Sequence, residues 1–318
     1  DEAQRAWTKE KVTSFMNAKG KDFDMSEPEF LIDIMNRHEN YCTIICLVGG
    51  GQEINTGEAG LSEWVIALKN HFRNWDIYYS NFITSDNDYL IDETLKDWLK
   101  DNGKAETELH LSVSVRSFRS EKISSFVHAV IDGNSNQAKA IFEEIFSLFP
   151  IRITRDFNVA KDWLRKNKKG TERIGIVGSS GGRRLRPLGI DVKNEIIAED
   201  WFLNDATDVR SSHYLELVAT EFDIQGLEID YVCLAWDINF YFNNGKWNYQ
   251  SFEGTKWKLI NSEIDKSYLR NAYRVLMTRA RQGLIIFLPY GDNLDPTRPK
   301  EFYDSTYNFL IECGIQTI

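Results

Sequence analysis

The chain has 318 residues, of which 42% are hydrophobic and 13% aromatic, which is enough for two domains of about 100–200 residues each. A formal net charge of −10 argues against a protein that coats nucleic acid through its overall field, but it leaves binding in a local groove open. No segment approaches the roughly 18 consecutive apolar residues of a membrane helix. The four cysteines are few, so we expect buried thiols in a cytoplasmic protein.

The chain begins with the acidic pair Asp1-Glu2. Such a pair normally follows a buried strand, where the first carboxylate holds magnesium through water and the second orients an attacking water. The alternative is a charged terminus without function, and residues 1–5 (DEAQR) taken alone favour that alternative. On the functional interpretation, we expect the chain to be cut from the end of a strand whose beginning is absent.

Thr43–Val48 is almost wholly apolar and β-branched, which predicts a strand buried on both faces of a parallel sheet. Helices are expected on either side of it, at Phe30–Arg37 and Leu61–Asn70. The run ends in residues 49–52 (GGGQ), where glycines allow close approach to a ligand and Gln52 can hydrogen-bond a phosphate or its attacking water. A tight strand-to-helix turn is the alternative. The sequence contains no GxxxxGK[ST] phosphate loop.

The polar, glycine-containing stretch Lys100–Glu108 indicates a domain boundary, which gives domains 1–104 and 105–318. Beyond it, Leu109–Val115 alternates apolar and polar residues and predicts a strand. A helix carrying Ile123 and Phe126 follows. Arg119, at the strand-to-helix junction, is well placed for a phosphate, although a surface arginine at a helix start is the alternative.

From residue 136 onwards, apolar strands alternate with amphipathic helices, which predicts a three-layer α/β sheet. A hairpin at Phe240–Tyr249 is expected to turn at Asn243-Asn244-Gly245. The predicted strands are Ile151–Thr154, Ile174–Val177, Leu215–Ala219, Tyr231–Trp236 and Leu284–Leu288. The predicted helices are Asn136–Leu148, Val159–Lys166, Tyr268–Arg281 and Ser305–Cys313.

Two groups of arginines are candidates for phosphate contact, because a guanidinium keeps its charge and offers paired donors. Arg274, Arg279 and Arg281 accompany a helix that leads into the last predicted strand. Arg183, Arg184 and Arg186 lie in a Gly/Ser-containing loop after a strand, a common place for nucleic-acid backbone contacts. For both groups the alternative is a solvated basic surface. Trp201, Trp236 and Trp247 could stack on bases, but core positions are more common for aromatic residues.

Read together, these segments resemble the ATPase core of superfamily 1 helicases, and most closely the Schlafen group 3-like DNA/RNA helicase domain family. The resemblance covers nearly the whole chain and rests on the order of the motifs. DEAQR (1–5), LVGGGQEINTGEAG (47–60), FRSEKISSF (118–126), ATEFDIQGLEID (219–230) and RVLMTRARQG (274–283) are similar to motifs II to VI, and SSGGRRLRP (179–187) is similar to a loop of the family.

The resemblance implies two RecA-like α/β domains with mostly parallel sheets, the first one truncated at its N-terminus, that close on ATP and Mg²⁺. It implies single-stranded DNA or RNA as a partner. Its catalytic residues would be Glu2, Gln52, Arg119 and Arg279, with Arg279 as the arginine finger and Asp1 as the magnesium ligand. Its nucleotide contacts would be Asp1, Gln4, Gly51, Gly226, Glu228 and Arg281, and its nucleic-acid contacts Arg183, Arg184 and Arg186.

The leading hypothesis is therefore an ATP-dependent helicase or translocase core. Because the phosphate loop of the family is missing, we expect that a preceding segment or a separate chain supplies it and that this chain alone does not hydrolyse ATP. The alternative is a catalytically inactive RecA-like module that binds partners in a defence or RNA-processing assembly. A Rossmann-like small-molecule enzyme is a third possibility, but Gly175, Gly178 and Gly181 do not have the GxGxxG spacing.

Overall fold

The computed structural model describes residues 2–49, 58, 60–85, 89–90, 92–110 and 118–318, with only the backbone of residues 118–120. By compactness the chain divides into the units Asp1–Val113 and Ser114–Ile318, whereas the sequence placed the boundary after residue 104. Gly103–Glu106, at that earlier boundary, forms a strand of the first unit. No helix within the described ranges combines the length and apolar character needed to cross a membrane.

The first unit is mainly helical in its described part and pairs two strands in parallel. Side-chain caps begin three of its helices: Thr8, Ser26 and Asp92 each accept a hydrogen bond from a first-turn amide, as expected for these residue types. The helices are α1 (Lys9–Ala18), α2 (Glu27–Met35), α3 (Ser62–His71), α4 (Phe82–Ser85) and α5 (Glu93–Asn102), and the strands are β1 (Ile77–Ser80) and β2 (Gly103–Glu106).

The predicted helices around Phe30–Arg37 and Leu61–Asn70 are confirmed as α2 and α3, but the predicted strand Thr43–Val48 is wrong. Those residues are irregular, and the Ile45 side chain is 78% exposed. A strand buried on both faces needs neighbours on both sides, and within the described residues of this unit only β1 and β2 form a ladder. The same exposure makes Cys46 an exposed thiol rather than a buried one.

The second unit contains a six-stranded, all-parallel sheet flanked by helices, and this mixed α/β architecture is consistent with a RecA-like fold. The strand order is β11-β3-β10-β6-β4-β5. The sheet strands are β3 (Ile151–Thr154), β4 (Ile174–Gly178), β5 (Val218–Ala219), β6 (Ile229–Ala235), β10 (Ala280–Phe287) and β11 (Gln316–Thr317). The helices are α6 (Phe118–Ile131), α7 (Ser135–Ile145), α8 (Phe157–Asn167), α9 (Ala198–Leu203), α10 (Glu263–Thr278) and α11 (Lys300–Glu312).

Both faces of this sheet are covered, which explains why its strands are nearly continuous apolar runs. Along β10, Leu284 and Ile286 belong to the core shared with α6, α7, α10 and α11, whereas Ile285 and Phe287 belong to the core on the other face, which includes Leu164 of α8. The side chains alternate with the period of two that a strand imposes. The predicted three-layer arrangement is therefore confirmed for this unit.

Most strand and helix positions in the second unit were predicted closely, but α11 begins five residues before the predicted Ser305, and α9 and β11 were not predicted. The predicted helix Tyr268–Arg281 is observed as Glu263–Thr278. It begins earlier because Ser262 caps it, and it ends earlier because the carbonyl of Arg279 accepts from Ile229 N at the start of β6. Strand β10 consequently begins at Ala280. Strand β5 keeps only Val218 and Ala219 of its predicted five residues, since Leu215 takes a left-handed conformation with φ of 61°.

The predicted hairpin is confirmed, and it is part of a separate three-stranded antiparallel sheet. Its strands are β7 (Phe240–Asn243), β8 (Lys246–Glu253) and β9 (Lys256–Leu259). Asn244 and Gly245 have φ values of 52° and 74° at the first turn, as a two-residue turn with two positive φ angles requires.

Candidate functional site

The amino-terminal end of β6 meets the start of β10, and this contact joins two of the motif-like segments. Ile229 N donates to Arg279 O at 3.0 Å, and Ile229 is the register partner of Ala280. Gly226 and Glu228 directly precede Ile229, while Arg281 follows Ala280. Four of the candidate residues, Gly226, Glu228, Arg279 and Arg281, therefore lie at the same end of the sheet, which we call the amino edge.

Arg279 is buried at this edge, with 6% of its surface exposed. Its Nε donates to Val275 O at 3.3 Å, and its Nη1 donates to Leu227 O at 3.5 Å. Burying a guanidinium is costly unless its donors are used. Hydrogen bonds to these two backbone carbonyls use two of its donors. The Arg279 charge is thereby fixed beside the turn at Gly226.

Arg281 differs because it is ion-paired and more exposed. Its Nε and Nη2 both donate to Asp230 Oδ1, at 3.2 and 2.7 Å, and 56% of its side chain is exposed. The hydrogen bond to Asp230 raises the pKa of Arg281. The second carboxylate oxygen, Asp230 Oδ2, accepts from Arg173 N at 2.7 Å. Asp230 thus anchors the Arg281 side chain to the start of β4.

The turn before β6 has room for a ligand to approach. Gly226 has φ of +79°, in the left-handed region that favours glycine, and a Cβ atom added there would meet no atom within 4 Å. Glu228 is half-buried. The Arg279 guanidinium contacts this turn through Leu227 O, and a guanidinium beside open space is suited to an anionic group.

The loop Ser179–Arg186, which we call the basic loop, lies at the opposite end of the sheet. It follows β4, and the register of Gly178 with Ala235, and of Ala235 with Phe287, shows that these three residues mark the carboxyl ends of their strands. Arg183, Arg184 and Arg186 are therefore separated from Arg279 by the full length of the central strands. The two candidate groups of arginines face different edges.

The backbone of the basic loop is fully occupied over its first part. Ser180 N donates to Glu221 Oε2 and Arg184 N donates to Asp237 Oδ2, both at 2.8 Å. The amides in between donate within the loop: Gly181 N to Ser179 Oγ, Gly182 N to Ser179 O, and Arg183 N to Gly181 O. A phosphate-binding glycine loop cradles its ligand with free amides. In the basic loop the amides from Ser180 to Arg184 already donate hydrogen bonds, so anion binding there must come from side chains.

The three arginines of the basic loop are not equivalent. Arg184 is held by an ion pair to Asp295 at 2.7 Å, with both side chains less than a quarter exposed. Arg186 pairs with Asp191 at 3.1 Å but is 75% exposed. Arg183 is exposed, and within the described part of the chain its side chain makes no ion pair or hydrogen bond. Arg183 and Arg186 are thus available to a ligand, whereas Arg184 is committed to the fold.

In the first unit, the segment after the chain start lies against the residues that precede the glycine run. Gln4 is fully buried; its Nε2 donates to Glu2 Oε2 at 2.6 Å and its Oε1 accepts from Gly49 N at 3.2 Å. Ala3 N donates to Leu47 O at 2.9 Å. Ala3 and Gln4 therefore contact the motif III-like segment directly, and Glu2 is hydrogen-bonded to Gln4.

Four of the predicted site residues cannot be placed from these contacts. Asp1, Gly51 and Gln52 lie outside the described residues, and Arg119 lies in the first turn of α6 with its side chain outside them. Their proposed roles stay predictions. The side chains of three tryptophans belong to the core and are only 1, 0 and 8% exposed: Trp201, Trp236 and Trp247. Base stacking on them is therefore excluded in this conformation.

Sequence reasoning missed the buried polar residues that hold the basic loop. Glu221, Asp237 and Asn239 are all less than 4% exposed. Burial raises the pKa of Glu221 and that of Asp237, while hydrogen bonds from Ser180 and from Tyr303, respectively, oppose this shift. The signal was available: Glu221 and Asp237 come one or two residues after apolar strands that end at the same edge.

The second unit is a parallel α/β sheet of RecA-like type with arginine-bearing segments at both of its edges. The model of the family described as Schlafen group 3, DNA/RNA helicase domain matches residues 1–290. The chain therefore belongs to this family, as the motif order predicted. No curated protein and no solved structure matches the chain.

Proposed function

We propose that this protein is the motor core of an ATP-dependent helicase or translocase that acts on single-stranded DNA or RNA. The observation that carries the proposal is the contact between the Gly226–Glu228 turn and the Arg279–Arg281 segment at the amino edge. A family of DNA/RNA helicase domains matches the chain across both segments. In this proposal the reaction is phosphoryl transfer from ATP to water.

The residues at the amino edge fit a nucleotide triphosphate. Gly226 leaves open space, Arg279 contacts the same turn through Leu227 O, and Arg281, which is paired with Asp230, lies on the adjoining segment. Magnesium, when bound with ATP, neutralises phosphate charge. We assign Asp1 as its ligand, Glu2 as the base that polarises water, and Gln52 as the group that orients it. Gln4, Gly51 and Glu228 would contact the nucleotide.

Arg279 and Arg119 would stabilise the charge that develops on the γ-phosphate, which is the largest contribution a protein can make to this reaction. Arg279 Nε and Nη1 donate to Val275 O and Leu227 O at 3.3 and 3.5 Å. A bidentate phosphate contact is favourable for a guanidinium. In this proposal, Arg279 contacts the phosphate when a nucleotide is bound.

The basic loop would hold the nucleic-acid backbone through Arg183 and Arg186. Because no loop amide from Ser180 to Arg184 is free, binding would be electrostatic, independent of base identity and sensitive to salt. The test is fluorescence anisotropy with labelled 20-mers of thymidine and of uridine. We expect the double variant Arg183→Ala/Arg186→Ala to lose most of the affinity. The control Arg165→Ala, which removes an exposed arginine of α8, should bind normally.

A catalytically inactive module that binds partners is the second candidate. The observation in its favour is the burial of Arg279 against carbonyls of its own chain. ATP turnover by the protein, once it is supplied with a phosphate loop, separates the two candidates. Nucleic-acid binding without any turnover would support the inactive module.

A further inference from the structure

We propose that Asn239 and Tyr273 are positioning residues that fasten the basic loop to helix α10, so that the loop holds its arginines in one place. This inference rests on the proposed role of the loop in binding nucleic acid. It concerns side chains that do not reach the ligand. Tyr273 lies in the middle of α10, the helix that ends just before Arg279.

A buried chain of hydrogen bonds runs from α10 to the loop. Tyr273 Oη donates to Asn239 Oδ1 at 2.7 Å, and Asn239 Nδ2 donates to Ser179 Oγ at 3.0 Å. Ser179 Oγ in turn accepts from Gly181 N at 3.3 Å. Tyr273, Asn239 and Ser179 are at most 1% exposed, so water does not compete for these bonds. Such a network is strong when every member is satisfied.

The amide of Asn239 bonds both neighbours at once, because its oxygen accepts and its nitrogen donates. Here the oxygen faces the Tyr273 hydroxyl and the nitrogen faces Ser179. The loop also packs directly on this amide, since a Cβ atom added at Gly181 would lie 2.8 Å from Asn239 Nδ2. Asn239 is thus the point at which both the hydrogen bonding and the shape of the loop are set.

A second set of buried groups fixes the far part of the same loop. Asp237 Oδ2 accepts from Arg184 N, while its Oδ1 accepts from Tyr303 Oη on α11 at 2.6 Å. The Tyr273 hydroxyl also accepts from Asp237 N at 3.4 Å. Tyr273 therefore touches both residues that hold the loop, Asn239 and Asp237. Removing its hydroxyl should loosen the loop while leaving the aromatic core intact.

The experiment compares Tyr273→Phe with Tyr307→Phe by amide hydrogen exchange of the whole chain. Tyr307 is a partly buried tyrosine of α11 that lies beside Arg155. Loss of one buried hydrogen bond should speed exchange of the amides in residues 180–185 by about threefold to tenfold in Tyr273→Phe. Exchange in α7 should not change. Unchanged loop exchange, or equal acceleration throughout the unit, would overturn the proposal.

Binding to the thymidine 20-mer supplies the second readout, arranged as a double-mutant cycle with Arg183→Ala. Tyr273→Phe alone should weaken binding by about twofold to tenfold. If Tyr273 acts through the loop arginine, Tyr273→Phe should weaken binding little or not at all in a chain that already carries Arg183→Ala. Full additivity would contradict the positioning role. If the unsubstituted chain does not bind the oligonucleotide, the proposed function fails, and the hydrogen-exchange result still decides the positioning role.

Discussion

Replacing Arg183 and Arg184 one at a time should separate nucleic-acid binding from stability, although the two arginines are adjacent. Arg183 is exposed, so its loss removes one phosphate contact, lowering affinity about threefold to fivefold and the salt slope by about 0.7. Arg184 is bonded to Asp295 at 2.7 Å, and both side chains are more than three-quarters buried. Breaking that pair should cost about 1–2 kcal/mol of the free energy of unfolding, less than a fully buried pair.

The assay measures oligothymidine affinity between 50 and 200 mM salt and the midpoint of thermal unfolding for each variant. We expect Arg184→Ala to lower the midpoint by roughly 2–6 °C, and Arg183→Ala to leave it unchanged. Arg165→Ala, an exposed arginine on α8, controls for net charge. If Arg183→Ala leaves the salt slope unaltered, or if Arg184→Ala weakens binding without any loss of stability, the division of roles in the basic loop is incorrect.

Three further predictions follow from particular contacts. The 318-residue chain alone should not hydrolyse ATP faster than its Glu2→Ala variant in a phosphate-release assay; faster turnover would show that it needs no added phosphate loop. Burial, with the nearby Lys168 charge, lowers the pKa of His213 to about 4, so the stability that it contributes is present above its ordinary pKa of about 6.5 and is lost as the pH falls towards 4. His213→Gln should therefore reduce the pH dependence of the thermal unfolding midpoint over that range, whereas the exposed control His38→Gln should not. Equal pH dependence in the two variants would refute the assignment. A Cβ at Gly175 would lie 2.8 Å from a buried indole ring, so Gly175→Ala should lower the free energy of unfolding by about 1–3 kcal/mol in denaturant titrations, and an unchanged midpoint would contradict the packing described.

The sequence predicted the second unit better than the first, for a physical reason. Ile151–Thr154 matches β3 residue for residue, because a strand covered on both faces is uniformly apolar and its ends are marked by polar residues. Thr43–Val48 has the same composition but no ladder among the described residues. Local composition does not report whether neighbouring strands exist.

The roles of the candidate site residues stay predictions. The sequence singled out Gly226, Glu228, Arg279 and Arg281, whose segments lie side by side in the fold. It did not show that Arg184 is held by Asp295, a residue more than 100 positions away. It also missed Asn239 and Tyr273, since a buried hydrogen-bond network depends on side chains that only the tertiary fold brings together.

The most direct test of the account is ATP hydrolysis by Arg279→Ala. It is measured with single-stranded oligonucleotide after the chain has been joined to a segment that carries a GxxxxGK[ST] phosphate loop. An arginine finger contributes about 10³–10⁵ to the rate, so turnover should be nearly abolished while oligonucleotide affinity stays within about twofold of the unsubstituted protein. The control Arg165→Ala should hydrolyse ATP normally. A decrease smaller than about tenfold, or about 1.4 kcal/mol, would contradict the assignment of Arg279 to the reacting phosphate.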